Sequence, residues 1–202
     1  MKKAAIFGAG GHARVVAAAL KANGIPIFGF FDDNFSAEEK IQGAPVLGKF
    51  NDILSFKKDI ADVYLGIGDN LRRRCSYVFL EENRFSMPRL VHPKAYVEDN
   101  ASIKDGTIIC IGAAVCAEVK IGQGVVINTG SSVDHESSLA DFVHLAPGAV
   151  IAGRVSVGSN SFVGINVSVK DKVKIGSNVI IGAGAIVLKD VPDNTTVVGI
   201  WK

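Results

Sequence analysis

The chain has 202 residues, a formal net charge of +2, and no apolar run near the ~18 residues that a membrane-spanning helix needs. This length suits one or two domains with a buried core, and the balanced charge gives no reason to expect nucleic acid as a partner. Three scattered cysteines form no CxxC pair, which excludes a disulfide framework and favours free thiols in a reducing cytoplasm. The amino terminus breaks into glycines at once, so it predicts a strand and not a signal peptide.

Short apolar strands alternate with helical stretches over residues 1–85. Strands are predicted at Lys3–Phe7, Ile27–Phe31, Val46–Leu47 and Val63–Leu65. Helices are predicted at His12–Asn23 and Asn70–Glu82, the first from apolar residues at helical spacing before Asn23-Gly24. This alternation predicts a small, Rossmann-like α/β domain with a parallel sheet.

A glycine-rich turn follows the first predicted strand. The segment Gly8-Ala9-Gly10-Gly11-His12-Ala13 fits G-x-G-x-x-A, and Asp32 ends the second strand about twenty residues later. This fingerprint makes NAD one candidate ligand, although the domain is only about half a full dinucleotide fold. The helix N-terminus can equally hold the phosphates of a nucleotide sugar. Gly68, Asp69, Asn70 and Arg73 follow a later strand and could complete the pocket, while a solvated helix face is the alternative for Arg72-Arg73-Arg74.

A strict period of six replaces this alternation in the second half of the chain. Seventeen residues at that spacing are all Val, Ile or Leu: Val91, Val97, Ile103, Ile109, Val115, Ile121, Ile127, Val133, Leu139, Leu145, Ile151, Val157, Val163, Val169, Ile175, Ile181 and Val187. Neither a helix nor a simple strand produces this period. A triangular prism does, with three hexads in each coil of ~18 residues. Residues 86–202 are therefore predicted to form a parallel β-helix of five to six coils without a long inserted loop.

Four places in the sequence resemble a known family: the Gly8–His12 turn, the Asp32-Asp33 pair, the stretch 128–136, and His144 with Ala152-Gly153. In this two-domain order they are similar to the bacterial sugar acyltransferases of the sialic acid O-acetyltransferase and nucleotide-4-aminosugar N-acetyltransferase type. The resemblance covers nearly the whole chain. It implies a left-handed β-helix, a homotrimer with acyl-CoA in the groove between neighbouring prisms, and a nucleotide sugar held partly by the N-terminal domain, in glycan biosynthesis.

His135 is the candidate general base. A histidine pKa near ~6.5 lets the ring accept the proton of an amine or a hydroxyl as the thioester is attacked. Glu136 is expected to orient the ring and to stabilise the imidazolium, with Asp134 as the rival carboxylate. Adjacent side chains on a strand point to opposite faces, so contact between His135 and Glu136 requires a bend at this corner. A surface histidine without catalytic function is the alternative.

The resemblance places acetyl-CoA, the expected cosubstrate, beside His144, for which a solvated side chain is the alternative. His144 follows His135 by nine residues, or half a coil, so the two should lie on different faces of one prism and meet across a trimer groove. Gly153 is the candidate oxyanion donor, because glycine lets a carbonyl approach the main chain closely. Further backbone contacts to pantetheine are expected from Ile165, Asn166, Gly182, Ala183 and Gly184. Most of these residues are small, which leaves room for the ligand. Tight corners of the prism also require small residues, so a purely structural role is the alternative.

The resemblance also implies contacts to the sugar nucleotide. Asp32 and Asp33 are expected near the base or ribose, and Asn128 near the sugar. With the glycine turn and the loop after the fourth strand, the expected substrate-binding set is Gly8, Gly10, Gly11, His12, Asp32, Asp33, Gly68, Asn70, Arg73 and Asn128.

Three functions stay open besides N-acetylation of an activated amino sugar. Histidine base chemistry also serves sugar O-acetylation, although a nucleotide-like pocket favours an activated amino sugar. A zinc enzyme of the γ-carbonic anhydrase type needs three histidines. Only His135 and His144 lie within the coils, with His92 at the junction, so no metal is expected. The third function is that of a non-catalytic partner that binds a nucleotide sugar. The His135-Glu136 pair argues against this function, because it has the arrangement of a catalytic base.

Overall fold

The computed structural model describes residues 3–34 and 40–202. The chain folds into two compact units, Met1–Pro93 and Lys94–Lys202. The division expected after residue 85 lies earlier than this boundary, because Ser86 still forms a parallel bridge with Asp62 of the first unit. The Val63 N–H donates to the Ser86 carbonyl oxygen at 2.8 Å. The separate binding roles given to the two domains remain predictions.

Over its described residues, 3–34 and 40–93, the first unit contains a five-stranded sheet, two α-helices and one 3-10 helix. Its elements are β1 (Lys3–Phe7), α1 (Gly11–Ala22), β2 (Ile27–Phe31), β3 (Lys40–Ile41), β4 (Ala44–Gly48), the 3-10 helix (Phe50–Phe56), β5 (Ile60–Leu65), α2 (Asn70–Glu82) and β6 (Leu90–Val91). The sheet order is β3-β4-β2-β1-β5, and every pair except β3 and β4 is parallel. The predicted parallel α/β arrangement is confirmed, with the bounds of β1, β2 and α2 as expected.

Two elements of the first unit are absent from the sequence-based prediction. β3 has two residues and forms a hairpin with β4 through Gln42 and Gly43, both at positive φ. The 3-10 helix Phe50–Phe56 buries only Ile53. Segments this short carry too few turns or alternations to give a periodic signal.

Two glycines allow the ends of β1 and β5 to lie against the start of α1. A Cβ atom on Gly66 would lie 2.7 Å from the Cβ of Ala13, and one on Gly8 would lie 2.9 Å from the Gly66 carbonyl oxygen. Gly8 also has φ of +109°, which side chains disfavour. The carboxyl ends of the two strands therefore converge on the helix N-terminus, where parallel α/β sheets bind ligands.

The second unit is a prism of two-residue strands. They are β7 (Tyr96–Val97), β8 (Ser102–Ile103), β9 (Ile108–Ile109), β10 (Ala114–Val115), β11 (Lys120–Ile121), β12 (Val126–Ile127), β13 (Ser132–Val133), β14 (Ser138–Leu139), β15 (His144–Leu145), β16 (Val150–Ile151), β17 (Ser156–Val157), β18 (Phe162–Val163), β19 (Ser168–Val169), β20 (Lys174–Ile175), β21 (Ile180–Ile181), β22 (Ile186–Val187), β23 (Thr196–Val197) and β24 (Ile200–Trp201).

These strands form three parallel sheets, one on each face of the prism. The first face is β7-β10-β13-β16-β19-β22-β24, the second is β8-β11-β14-β17-β20, and the third is β9-β12-β15-β18-β21-β23. Stacked partners are one 18-residue coil apart, as in Ala114 with Ser132, until the shorter last coil pairs Ile180 with Thr196. The predicted parallel β-helix is confirmed.

The predicted aliphatic series forms the core of the prism. Each of its seventeen members is the second residue of a strand from β6 to β22. All members from Ile109 to Val187 are buried, while Val91, Val97 and Ile103 are half-buried. Full burial of one such side chain contributes about 1.5–3 kcal/mol, so the stack is the main stabilising feature of this unit.

The corners have their own period of six. The third residue after each core position, from Gly106 to Gly184, has φ between 54° and 71°, whether or not it is a glycine. This left-handed conformation costs residues other than glycine about 1 kcal/mol each. Glu136 (φ 57°) and Arg154 (φ 60°) occupy two such corners, where the alternation of side chains along the strand is interrupted.

No helix within residues 3–34 and 40–202 is long and apolar enough to cross a membrane.

Replacing Leu145 by Ala should destabilise the protein by about 2–5 kcal/mol, because the side chain is fully buried in the stack and its loss leaves a cavity. Urea unfolding followed by circular dichroism measures the change. Lys120→Ala, on the outside of the second face, is the control and should change stability by less than about 0.5 kcal/mol. Equal effects of the two substitutions would contradict the assignment of the core.

Candidate active site

His135 and Glu136 meet at the corner after β13. The ring Nδ1 lies 3.0 Å from Oε2 of Glu136, and both side chains are 47% exposed. The positive φ of Glu136 provides the bend that this contact requires. The Asp134 carboxylate accepts the backbone N–H of His135 at 2.7 Å instead, so Glu136 is the carboxylate that orients the ring. Within the described part of the chain, Nε2 of His135 has no hydrogen-bond partner.

Arg154 is a third member of this cluster, which the sequence analysis missed. Its Nε donates to the same Oε2 of Glu136 at 2.9 Å. The hydrogen bonds from Arg154 and, second, from His135 lower the pKa of Glu136, while the carboxylate raises the pKa of Arg154. Residue 154 follows residue 136 by one coil, so a comparison of charged residues at 18-residue spacing would have found the pair.

Gly153 stacks on His135 from the next coil. A Cβ atom on Gly153 would lie 2.6 Å from Nε2 of His135, so a glycine is what leaves room for the ring. The N–H groups of Ala152 and Arg154 donate to the carbonyl oxygens of Val169 and His135. The Gly153 N–H has no such acceptor among the residues that the structure describes. A backbone donor beside the base is therefore available for an oxyanion.

Asn128 and His144 form a second cluster, on the third face. Nδ2 of Asn128 lies 3.2 Å from Nε2 of His144. The ring of His144 is buried and packs edge-on against Phe162, with 5.2 Å between ring centroids. His144 lies in β15 of the third face, whereas His135 follows β13 of the first face, as their half-coil spacing predicts.

The other residues expected to contact acetyl-CoA lie at the corner after the third face. The Gly184 N–H donates to the Ile165 carbonyl oxygen at 2.7 Å, and Ile165 is 50% exposed. Asn166 has φ of 54°, and its side chain occupies the space beside Gly148. Ala183 is exposed and Gly182 half-buried, so their backbone is accessible. Within one chain these residues share a corner with each other and not with His135.

A pocket of about 790 Å³ opens at the carboxyl ends of β1, β2 and β5 in the first unit. Seven of the predicted substrate-binding residues line it: Gly8, Gly10, Gly11, His12, Asp32, Asp33 and Gly68. Phe7, Phe50 and Phe79 add an apolar wall, in which the Phe7 and Phe50 rings stack with centroids 4.2 Å apart. The pocket therefore offers backbone N–H groups, carboxylates and an aromatic surface, a combination suited to a nucleotide.

The two acidic residues of this pocket also organise its loops. Asp32 accepts the Ala9 N–H at 2.8 Å and the Asn34 N–H at 2.9 Å. Asp33 accepts the Phe50 N–H at 3.0 Å. Asp32 is nearly buried, so it holds the glycine turn in place as well as lining the pocket.

Arg73 and Asn70 are not among the residues that line this pocket, and their expected contact with the ligand stays a prediction. The Arg73 guanidinium is fully buried and donates to the carbonyl oxygens of Ile67 and Gly68 and to Oδ1 of Asn70. Burial lowers the pKa of Arg73 to about 10, an effect that nearby Asp69 partly opposes. The pair supports the loop after β5 from within, and exposed Arg72 lines the pocket instead.

Comparison with known proteins identifies the family. The PglD N-terminal domain model matches residues 3–77, and the model for the bacterial transferase hexapeptide (six repeats) matches residues 154–189. A variant of perosamine N-acetyltransferase from Caulobacter crescentus, solved with CoA and GDP-perosamine, is 32% identical, with 98% of this chain and 94% of that chain covered and a TM-score of 0.95. The chain belongs to the bacterial hexapeptide-repeat sugar acetyltransferases.

Two other solved structures are similar to this chain over nearly their whole length. The acetyltransferase domain of PglB from Neisseria gonorrhoeae, solved with acetyl coenzyme A, is 35% identical, with coverage of 98% and 96% and a TM-score of 0.94. WeeI from Acinetobacter baumannii is 26% identical, with coverage of 98% and 97% and a TM-score of 0.91. A search of curated proteins gave no match. The family resemblance stated from the sequence is confirmed, and the second unit is a left-handed parallel β-helix.

Across residues 3–34 and 40–202 of this acetyltransferase, no group of three or more His, Cys, Asp or Glu side chains is placed to hold a metal ion. The three cysteines are free, with Cys110 buried and Cys75 exposed. Burial raises the pKa of Cys110 to about 12, so its thiol stays protonated at neutral pH.

Replacing Arg154 by Gln in this sugar acetyltransferase should raise the pKa of the Glu136 carboxyl, because the hydrogen bond from Arg154 is the largest of the effects that lower it. Nuclear magnetic resonance of the ¹³C-labelled side-chain carboxyl, followed through an acid titration, measures the change.

The matched control is Lys172→Gln, one coil further along the same corner, where the lysine lies 3.9 Å from Asp171. Its Glu136 carboxyl should titrate as in the unmodified enzyme. A Glu136 pKa that falls in Arg154→Gln, or that rises equally in both variants, would contradict the role given to Arg154.

Proposed function

We propose that the protein transfers the acetyl group of acetyl-CoA to the amine of a nucleotide-linked 4-amino sugar, with His135 as the general base. The observation that carries the proposal is the arrangement around this ring. Glu136 engages Nδ1, Gly153 leaves room for the imidazole, and Nε2 lies beside Gly153 in a half-exposed side chain. An oriented base with its second nitrogen available for a proton is what acyl transfer to an amine requires.

The chemistry follows from these positions. The amine nitrogen attacks the thioester carbonyl carbon while Nε2 of His135 accepts the proton that the amine loses. Glu136 stabilises the resulting imidazolium, and the Gly153 N–H donates to the oxygen that becomes negative. Collapse of the tetrahedral intermediate breaks the carbon–sulfur bond, and the imidazolium returns its proton to the departing CoA thiolate. The products are the N-acetylated sugar nucleotide and CoA.

The sugar nucleotide is proposed to use the pocket of the first unit. The turn that begins α1 presents N–H groups at a helix N-terminus, which favours a diphosphate. The half-buried ring of Phe50, which stacks on the buried ring of Phe7, supplies a surface for a base or ribose. In support, a relative covering the whole length of this chain was solved with CoA and GDP-perosamine, and another with acetyl coenzyme A. Both relatives are named for acetyl transfer, the first to nitrogen.

A homotrimer is part of the proposal, and the outward residues of the prism support it. Those of the second face are all serine or lysine: Ser102, Lys120, Ser138, Ser156 and Lys174. The first and third faces carry exposed aliphatic side chains, with Val150 45%, Ile180 53% and Ile186 41% exposed. Two apolar faces and one polar face favour a closed ring in which the first face of one chain meets the third face of the next.

Such a ring would also complete the active site. His135 and Gly153 lie at the corner after the first face, whereas His144, Ile165 and Gly184 belong to the third face or its corner. Packing the first face of one chain against the third face of its neighbour would bring these two groups into one groove. We place the reaction in the cytoplasm, in glycan biosynthesis, because acetyl-CoA and nucleotide sugars are available there.

The test uses the full chain, acetyl-CoA and nucleotide-linked 4-amino sugars carrying UDP or GDP, with release of the CoA thiol as the measurement. His135→Asn should lower kcat by about 10²- to 10⁴-fold, because general-base catalysis is lost. The same variant should keep the thermal stabilisation that acetyl-CoA gives the unmodified protein, which shows that binding survives.

Three results would overturn this function. The first is unchanged thiol release by His135→Asn with a sugar that the unmodified enzyme acetylates. The second is transfer to hydroxyl sugars such as sialic acid without any transfer to amino sugars, which would assign O-acetylation. The third is binding of sugar nucleotides without thiol release from any of them, which would indicate a non-catalytic binding partner.

A further inference from the structure

The hydroxyl of Ser137 spans the corner that carries Gly153. It donates to the Ala152 carbonyl oxygen at 2.9 Å and accepts the Val155 N–H at 3.0 Å. The His135 carbonyl oxygen lies farther from the hydroxyl, at 3.5 Å. Ser137 is buried, so its two shorter hydrogen bonds are shielded from competing water.

This contact fixes the direction of the Gly153 N–H. In a trans peptide the carbonyl of one residue and the N–H of the next point in opposite directions. The Ala152 carbonyl points to the buried hydroxyl of Ser137. The N–H of Gly153, which belongs to the same peptide, therefore points away from that hydroxyl.

A second corner of the prism repeats the arrangement. Thr107 donates to the Gly122 carbonyl oxygen at 2.8 Å and accepts the Val125 N–H at 3.1 Å. The N–H that follows this carbonyl is that of Gln123, which donates to Oδ1 of Asp141 at 2.9 Å. The N–H turned away from the hydroxyl therefore holds a carboxylate oxygen from the next coil.

A third corner shows the same set of contacts. Ser161 donates to the Gly176 carbonyl oxygen at 2.7 Å and accepts the Val179 N–H at 3.0 Å. The Ser177 N–H then donates to Oδ1 of Asp193 at 2.8 Å. At both of these corners, a peptide oriented by a buried hydroxyl binds a negatively charged oxygen.

Gly153 holds no such carboxylate. In the part of the chain that the structure describes, its N–H has no acceptor, although Asp171 follows it by one coil. At the other two corners a glycine precedes the donor, and a Cβ atom on Gly122 or Gly176 would lie 2.4 or 2.2 Å from the aspartate oxygen. Ala152 precedes Gly153, and its methyl group fills the space that such a carboxylate needs. The donor is therefore left for an oxygen from outside the chain.

We propose that Ser137 is a positioning residue that aims the Gly153 N–H at the oxyanion formed from the thioester carbonyl. This inference rests on the proposed function, in which Gly153 is the oxyanion donor. The two equivalent corners show that a peptide held in this way binds an anionic oxygen. Ser137 acts through the peptide and does not touch the substrate, and it removes the cost of reorienting the donor during the reaction.

Nuclear magnetic resonance of the full-length protein, without substrates, tests the orientation of the peptide. Labelling alanine carbonyl carbons with ¹³C and glycine nitrogens with ¹⁵N selects the three Ala-Gly peptides of the chain, which are Ala9-Gly10, Ala152-Gly153 and Ala183-Gly184. The second signal is identified by its loss in Ala152→Ser. Ser137→Val should shift this signal, because the carbonyl loses its hydrogen bond. Ser137→Thr should shift it much less, since a threonine makes the same two hydrogen bonds at position 107.

Steady-state kinetics tests the effect on catalysis. The kcat is referred to acetyl-CoA-binding sites counted by titration calorimetry, so that unfolded protein does not contribute. Ser137→Val should lower kcat about 10- to 100-fold with KM for acetyl-CoA within about twofold, because the oxyanion forms only as the reaction proceeds. Ser137→Thr should keep kcat within about threefold of its original value, because the hydroxyl is retained.

The matched control is Thr107→Val, which removes the same two hydrogen bonds at a corner after the second face. It should leave kcat unchanged. An unchanged kcat in Ser137→Val, or an equal loss in Thr107→Val, would overturn the catalytic role. An unshifted Ala152-Gly153 signal in Ser137→Val would overturn the positioning role whether or not the protein transfers acetyl groups. Lack of acetyl transfer by the unmodified protein would instead overturn the proposed function, and the magnetic resonance result would not be affected.

Discussion

The stack of aliphatic side chains inside the prism is the constraint on which the rest of the structure depends. Each core residue occupies the same place in its hexad, so every corner residue is fixed relative to those one coil above and below it. This explains why Nε of Arg154 can donate a hydrogen bond to a carboxylate oxygen of Glu136, which lies 18 residues earlier in the chain. It also explains why Gly153 lies directly against His135. The site is positioned by the repeat, with no dedicated loop.

Much of this architecture could be predicted from the sequence because its signals are periodic. The six-residue spacing specified each strand of the prism as far as β22, and the His135-Glu136 pair carried enough chemistry to be singled out. To predict the contact between those two side chains, one would also have to know that the backbone at Glu136 is left-handed. That conformation is dictated by the corner and not by the residue type, so a search for glycine would not find it.

Other features depend on packing that a linear pattern does not encode. Arg72, Arg73 and Arg74 are adjacent and chemically alike, yet only the central one points into the domain, where it binds the loop after β5. Its role could not be distinguished from that of its neighbours without knowing the rotation of α2. Arg154 was missed for a related reason, since its partner is distant in sequence and adjacent only after the coil has formed.

The separation of the two histidines in one chain is the central argument for an active site shared between subunits. It can be tested with mixed trimers of His135→Asn and His144→Gln, assayed at a subsaturating acetyl-CoA concentration at which each variant alone has little activity. If each site takes His135 from one chain and His144 from the next, random mixing should restore about a quarter of the wild-type activity, since one site in four then has both histidines. Mixed trimers that form but remain inactive would contradict a shared site and place both histidines' functions within one chain.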